Sequence, residues 1–238
     1  MSQDLLRGHT AFVTGASRGI GMRVVERLAE AGARVWAAAR SEGALQDLAA
    51  RTGCTPVVVD LTDEAAVWDV LDRLQDELGG APSLVVNGAG VFGIQACDAE
   101  TVAAFDMAVA VNLRAPFLVT RALLPAMLQR GSGLFVNLGS VSGRRAYPGN
   151  GAYSASKFGL RGYHEVLLEE LRGTGVRATL LEPAATDTPL WDPLDPDGDP
   201  NLPNRDDMLS PDDVADAVLY VATRPEHVRI PLLQIEHG

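Results

Sequence analysis

Cysteine is scarce: Cys54 and Cys97 are the only two in 238 residues, and they lack C-x-x-C spacing. Isolated thiols exclude a disulfide-stapled framework and are expected to be the reduced thiols of a cytoplasmic protein. Positive charge is also short. Twenty Lys and Arg stand against 31 Asp and Glu, a formal net charge of −11. That balance excludes the basic surface nucleic-acid phosphates require and favours a soluble, self-repelling protein. No apolar run approaches the roughly 18 residues that span a bilayer, so no membrane partner is expected. Met1-Ser2-Gln3-Asp4 lacks the basic-then-apolar design of a signal peptide. His9, His164, His227 and His237 have no second ligand at metal spacing. No metal is expected, and all four read as surface or partly buried structural histidines.

What is present is a regular alternation. Val-rich segments at 10–14, 33–39, 55–60, 83–87, 132–139, 176–182 and 229–235 read as strands. Helical patterns fill 19–31, 42–51, 63–78, 101–129, 152–173 and 211–223. The hydrophobic fraction of 47% supports one α/β domain over 1–238, a parallel sheet covered on both faces. A ligand is then expected beyond the carboxyl ends of the strands, where strand order reverses. The stretch 187–209 breaks the pattern with Pro189, Pro193, Pro196, Pro200 and a run of aspartates, and is expected to be a mobile lid. Asp195, Asp197 and Asp199 do not fit a calcium loop, because Gly198 falls at the fourth place and no glutamate follows at the twelfth. They read as a solvated turn.

Two constellations carry chemistry. The strand ending at Thr14 runs into Thr14-Gly15-Ala16-Ser17-Arg18-Gly19-Ile20-Gly21 and then a helix. In that setting glycines admit a tight turn and close backbone approach, and the helix N-terminus offers N–H groups to a pyrophosphate. Further on, Tyr153 and Lys157 lie four residues apart, on one face of a helix, with Ser140 thirteen residues before the tyrosine. A free tyrosine has a pKa of about 10, and a neighbouring ammonium is expected to lower it toward an acid–base working range.

Together these residues resemble the short-chain dehydrogenase/reductase family over nearly the whole chain. The resemblance implies a Rossmann-type doubly wound parallel sheet of about seven strands with helices on both faces. It implies Ser140, Tyr153 and Lys157 as catalytic residues, with Asn112, in Val111-Asn112-Leu113, carrying a proton relay through a water. Gly15, Ser17, Arg18, Gly19, Ile20 and Gly21 match the cofactor loop, and Asp60-Leu61 the pair that meets the adenine. Asn87-Gly88-Ala89-Gly90 matches an N-N-A-G turn, with Gly88 in place of the second asparagine. Pro183, Thr186 and Thr188 belong to a P-G-x-x-x-T loop beside the nicotinamide, with Ala184 in place of its glycine. Tyr153 and Lys157 also contact the cofactor in this resemblance, Lys157 through the ribose.

The second strand indicates which dinucleotide. It ends in Arg40-Ser41, where an NAD site usually offers an acid to the ribose hydroxyls. A guanidinium there binds a 2′-phosphate through a charge-assisted fork, and Arg18 and Ser41 can join it, so NADP(H) is the expected cofactor. Val91, Phe92, Val141, Ser142, Tyr147, Leu190 and Trp191 are expected to wall the substrate pocket, which suits an apolar or aromatic ketone or aldehyde. Arg144 and Arg145 either attract an acidic group or are solvated. The expected activity is NADPH-dependent, reversible carbonyl reduction with Tyr153 as proton donor. An NAD-linked alcohol or sugar dehydrogenase and a non-enzymatic nucleotide sensor are the other readings. A small-molecule carbonyl or alcohol substrate and a homodimer or homotetramer are the expected partners.

Overall fold

The computed structural model describes residues 5–238; Met1–Asp4, which carried the signal-peptide reading, lies outside the described residues. Seven parallel strands form one sheet in the order β3-β2-β1-β4-β5-β6-β7. They are β1 (Thr10–Thr14), β2 (Arg34–Ala39), β3 (Thr55–Val58), β4 (Leu84–Asn87), β5 (Gly133–Leu138), β6 (Val176–Pro183) and β7 (Leu232–Ile235). The helices are α1 (Gly19–Glu30), α2 (Glu42–Thr52), α3 (Glu64–Leu78), α4 (Val102–Val109), α5 (Ala115–Arg130), α6 (Gly151–Glu170) and α7 (Pro211–Ala222). Strand side chains alternate between faces. Val13, Val86 and Val136 meet α1, α2 and α7 on one side, while Phe12, Val85 and Phe135 meet α3, α5 and α6 on the other. Burial on both sides explains why these strands read as continuous apolar runs. Chain order reverses between β1 and β4, so their carboxyl ends open the crevice expected at a switch point.

Several expectations are corrected. The helix expected at 101–129 is interrupted by a π-helical turn, Ala110–Arg114, between α4 and α5. The extra residue in that turn brings Asn112 inward, where it is fully buried. The strand expected from 229 begins only at Leu232, after Pro231. The strand expected to reach residue 60 ends at Val58, and Asp60 instead accepts hydrogen bonds from the Thr62 N–H (2.9 Å) and hydroxyl (2.8 Å). The continuous stretch Val102–Arg130 is long and apolar enough, by length and composition, to cross a membrane, with a mean hydropathy of 1.5 over 18 residues. Alanine-rich turns raise that average without a continuous apolar run. Its Leu118, Val119, Leu123 and Met127 are core residues packed on the sheet.

His164 is neither at the surface nor half-exposed: only 1% of it is accessible. Its Nε2 lies 3.0 Å from the Pro231 carbonyl, which can only accept, so Nε2 carries the proton. Nδ1 then accepts from Asn137 Nδ2 at 3.2 Å, and Asn137 Oδ1 accepts from Asn87 Nδ2 at 2.8 Å. Burial pushes the His164 pKa down, opposed by the Pro231 bond and Glu165 and aided by Arg161. A depressed folded-state pKa contributes stability that is present above the unfolded value of about 6.5 and lost as pH falls toward the folded one. Unfolding free energy is therefore expected to drop between pH 7 and 5, more steeply than in a His164→Gln variant. Urea titrations across that range with parallel slopes in the two proteins would refute this.

Candidate active site

The loops that follow β1 and β4 are in contact, and this contact shapes the crevice. Gly15 has φ 72°, and a Cβ there would stand 2.7 Å from the Ala89 nitrogen. Only glycine fits both the left-handed backbone and the approach. Thr14 ties the two loops, its Oγ1 accepting from the Gly88 N–H (3.1 Å) and the Ala89 N–H (3.2 Å). The glycine at position 88 has a steric explanation: a Cβ there would lie 2.8 Å from the Thr14 carbonyl oxygen. α1 starts directly after this turn, and its N-cap residue Arg18 makes no side-chain cap. The first-turn N–H groups are therefore available to an anionic ligand.

Ser140 follows β5, and its Oγ accepts the Ser142 N–H at 3.1 Å, leaving the hydroxyl proton for another partner. Tyr153 and Lys157 share the inner face of α6. Lys157 is the chain's only lysine. It is 5% exposed, and its Nζ donates to the Leu138 carbonyl at 2.8 Å and lies 5.7 Å from the centre of the Tyr153 ring. The expected acidification of the phenol is not what this site shows. Burial raises the Tyr153 pKa, with a hydrogen bond from Ser140 opposing it, and burial lowers Lys157 to about 8. Desolvation disfavours both charged forms here, and the ammonium is aimed at a backbone carbonyl instead of the phenol oxygen.

A continuous cavity of about 1110 Å³ brings most of the expected residues together. Its wall includes Gly15, Ser17, Arg18, Gly19, Ile20, Gly21, Arg40, Asp60, Leu61, Gly88 and Ala89. Ser140, Tyr153, Lys157, Pro183, Thr186 and Thr188 complete it. Three expected residues fall outside the wall. Ser41 is exposed at the N-cap of α2. Asn87 turns its side chain beneath the sheet's end to Asn137. Asn112 braces the loop after β4: its Oδ1 accepts from the Val91 N–H (2.8 Å), and its Nδ2 donates to the Val91 carbonyl (3.0 Å) and Ser156 Oγ (2.9 Å). Both amide protons are engaged in this brace. Sequence reasoning missed Ile94, Asn150, Glu236 and His237 in the wall. None carries a local signal, since loop and tail positions reach the cavity only through the fold.

Charge is distributed unevenly around this cavity. Among the described residues neither Arg18 nor Arg40 forms a salt bridge, although Asp60, held below the usual carboxylate range chiefly by Thr62, also senses Arg40. Arg144 is not available to a substrate acid. It pairs with the buried Glu182 (3.4 Å) and with Glu236 (2.6 Å), while Glu182 also takes Arg161 (2.9 Å) and Gln234 (3.0 Å). Arg145 lines the cavity and makes no salt bridge among the described residues. On the substrate side, the Phe92 ring stands edge-on to Tyr153 at 4.8 Å and to Trp191 at 4.9 Å.

Comparisons with known proteins identify the family. A family model described as short chain dehydrogenase matches residues 9–199. An uncharacterized oxidoreductase of Staphylococcus saprophyticus is 32% identical over 231 residues, covering 94% of this chain and 95% of that protein. Among solved structures, a metagenomic short-chain oxidoreductase in complex with NADP superposes with a TM-score of 0.83 at 31% identity, over 99% of both chains. The closed form of a serine dehydrogenase complexed with NADP+ gives a TM-score of 0.86 at 30% identity, over 95% of this chain and 94% of that one. On a match spanning most of its length, around the very cavity that Ser140, Tyr153 and Lys157 share, this chain belongs to the short-chain dehydrogenase family and is an oxidoreductase.

Proposed function

We propose that this oxidoreductase uses NADPH to reduce an apolar or aromatic ketone or aldehyde to its alcohol, reversibly, in the cytoplasm. The observation that carries the reading is the placement of Ser140, Tyr153 and Lys157 in one cavity with Arg18 and Arg40, which form no salt bridge among the described residues, and with the rings of Phe92 and Trp191. The cavity fits the dinucleotide on this chain's own features: a glycine-tight loop that no Cβ could enter, open N–H groups at α1, and guanidinium groups for a 2′-phosphate. NADP is the ligand named for two similar solved structures, which supports the choice. Bound there, the cofactor would supply a hydride to the carbonyl carbon.

The chain's own groups handle the oxygen. Ser140 orients the substrate oxygen through its hydroxyl, and Tyr153 donates its proton to that oxygen as negative charge develops. Burial keeps the phenol protonated at neutral pH, the state reduction needs. Lys157 places a positive charge where it stabilises the phenolate left behind, and it also holds the ribose in this reading. Because burial brings the ammonium to about 8, that support is expected to fade above this pH. A hydroxy acid as substrate in the oxidative direction is a second reading, favoured by Arg145 at the cavity wall, which makes no salt bridge among the described residues, and by the serine dehydrogenase likeness. Exposed Phe105, Phe117, Phe158 and Val166 on α4, α5 and α6 offer an apolar face for a homodimer or homotetramer.

A panel of ketones, aldehydes and hydroxy acids with both cofactors tests the reading. NADPH is expected to be preferred to NADH by roughly ten-fold or more, as one charge-assisted contact predicts. Reductive kcat/KM is expected to decline above a pH of about 8 as Lys157 loses its proton. A preference for NADH, or no turnover of any carbonyl, would overturn it.

A further inference from the structure

We propose that Arg205 is a positioning residue that sets substrate selectivity by stapling the 187–192 segment and so holding Trp191 as a roof beside the catalytic tyrosine. The proposal goes beyond the reductase reading, and depends on it only for the kinetic half of its test. The segment expected to be a mobile lid is tied at its base. The Asp187 N–H donates to the Leu209 carbonyl at 2.8 Å, and the Leu209 N–H donates to the Ala185 carbonyl at 2.9 Å. Between those anchors lie seven aspartates and a single cation, Arg205.

That one guanidinium collects the carboxylates. Its Nη1 donates to Asp187, its Nη2 to Asp192 at 2.8 Å, and its Nε lies 3.8 Å from Asp197. Asp197 in turn accepts the Arg205 backbone N–H at 2.9 Å. Asp187 and Asp192 bracket the residues Thr188, Pro189, Leu190 and Trp191, all of which line the cavity, whereas Arg205 does not. A turn between them, with the Trp191 N–H on the Thr188 carbonyl at 3.0 Å, leaves the bracketed piece little slack. Trp191 then passes the constraint on, ring against Phe92 at 4.9 Å, and Phe92 against Tyr153 at 4.8 Å. Without the guanidinium, three carboxylates confined to one loop would repel one another and spread the roof. A lysine cannot replace it fully, because an ammonium lacks the planar fork that serves two carboxylates at once.

The chemistry selected is a flat, apolar group joined to the carbonyl, one that slides beneath the Phe92 and Trp191 rings. An aryl ketone should therefore feel Arg205, and a ketone of three or four carbons, too short to reach the roof, should not. In Arg205→Met the KM for an aryl methyl ketone is expected to rise about ten-fold, the size of a lost aromatic contact. Its kcat and the KM for the small ketone should stay within about two-fold, the level of surface substitutions. Arg205→Lys should restore part of the KM. Trp191→Ala should reproduce the pattern, and adding Arg205→Met to it should change nothing further, since both act through one ring. Equal losses for both ketones, or additive effects in the double variant, would overturn the proposal.

The roof can also be read without turnover. In a Trp36→Phe, Trp68→Phe background Trp191 is the only tryptophan, and Arg205→Met should shift its emission to the red and open it to acrylamide. Unchanged emission and quenching would overturn the proposal. If the wild type reduced no ketone while emission still shifted, the reductase reading would fall and the staple would stand.

Discussion

Tyr153→Phe is expected to lower kcat by roughly 10²–10⁴-fold, the usual scale of losing a general acid, while the dissociation constant for NADPH stays nearly unchanged. The phenyl ring keeps the edge contact with Phe92 at 4.8 Å, so the cavity wall is preserved and only the oxygen goes. No other group is as well placed. The Ser140 hydroxyl already accepts the Ser142 N–H, and the Lys157 ammonium donates to the Leu138 carbonyl. Fluorescence titration with NADPH and steady-state kinetics on a pure variant separate binding from turnover. Residual reduction within about ten-fold of wild type would mean that another donor supplies the proton.

Arg40→Asp should reverse the choice of dinucleotide. Losing one charge-assisted contact costs about 1.5–3 kcal/mol, roughly a ten- to hundred-fold fall in NADPH preference. The substitution goes further than loss. Arg40 is among the groups that hold the Asp60 carboxyl down, so the variant sets two carboxylates near the adenosine with no guanidinium between them. The new carboxylate repels a 2′-phosphate and offers an acceptor to the ribose hydroxyls of NADH. Arg18, at the same cavity wall, remains, which is why Arg40→Asp with Arg18→Ser should complete the switch. An Arg40→Asp variant that keeps its NADPH preference in kcat/KM would refute the assignment.

The fold was legible because its signals are local. β-strands buried on both faces must be apolar throughout, so Val13, Val86 and Val136 marked the sheet without knowledge of their neighbours. The glycine loop was legible for a similar reason: a left-handed backbone at Gly15 forbids a side chain wherever the rest of the protein lies. Tyr153 and Lys157 could be paired because four residues of helix place two side chains on one face. Helical spacing cannot say which way an ammonium points. Lys157 turned out to serve a carbonyl of β5, nineteen positions earlier, and burial, not the ammonium, sets the phenol's acidity.

The sequence alone therefore determined the family resemblance, the parallel sheet and the pairing of Tyr153 with Lys157 on one helix face, each from spacing within one element or one turn. Only the tertiary structure decided what the polar side chains do once several elements meet. Asn112 became a brace through a π-helical turn that its own segment does not announce. His164 was drawn fully inside by Asn137 and Pro231, and Arg144 was committed to Glu182 and Glu236. The aspartates of 187–209, individually turn formers, were gathered by Arg205. Polar partners are chosen by distance in space and by the cost of leaving a buried group unpaired, and neither is written in the order of residues along the chain.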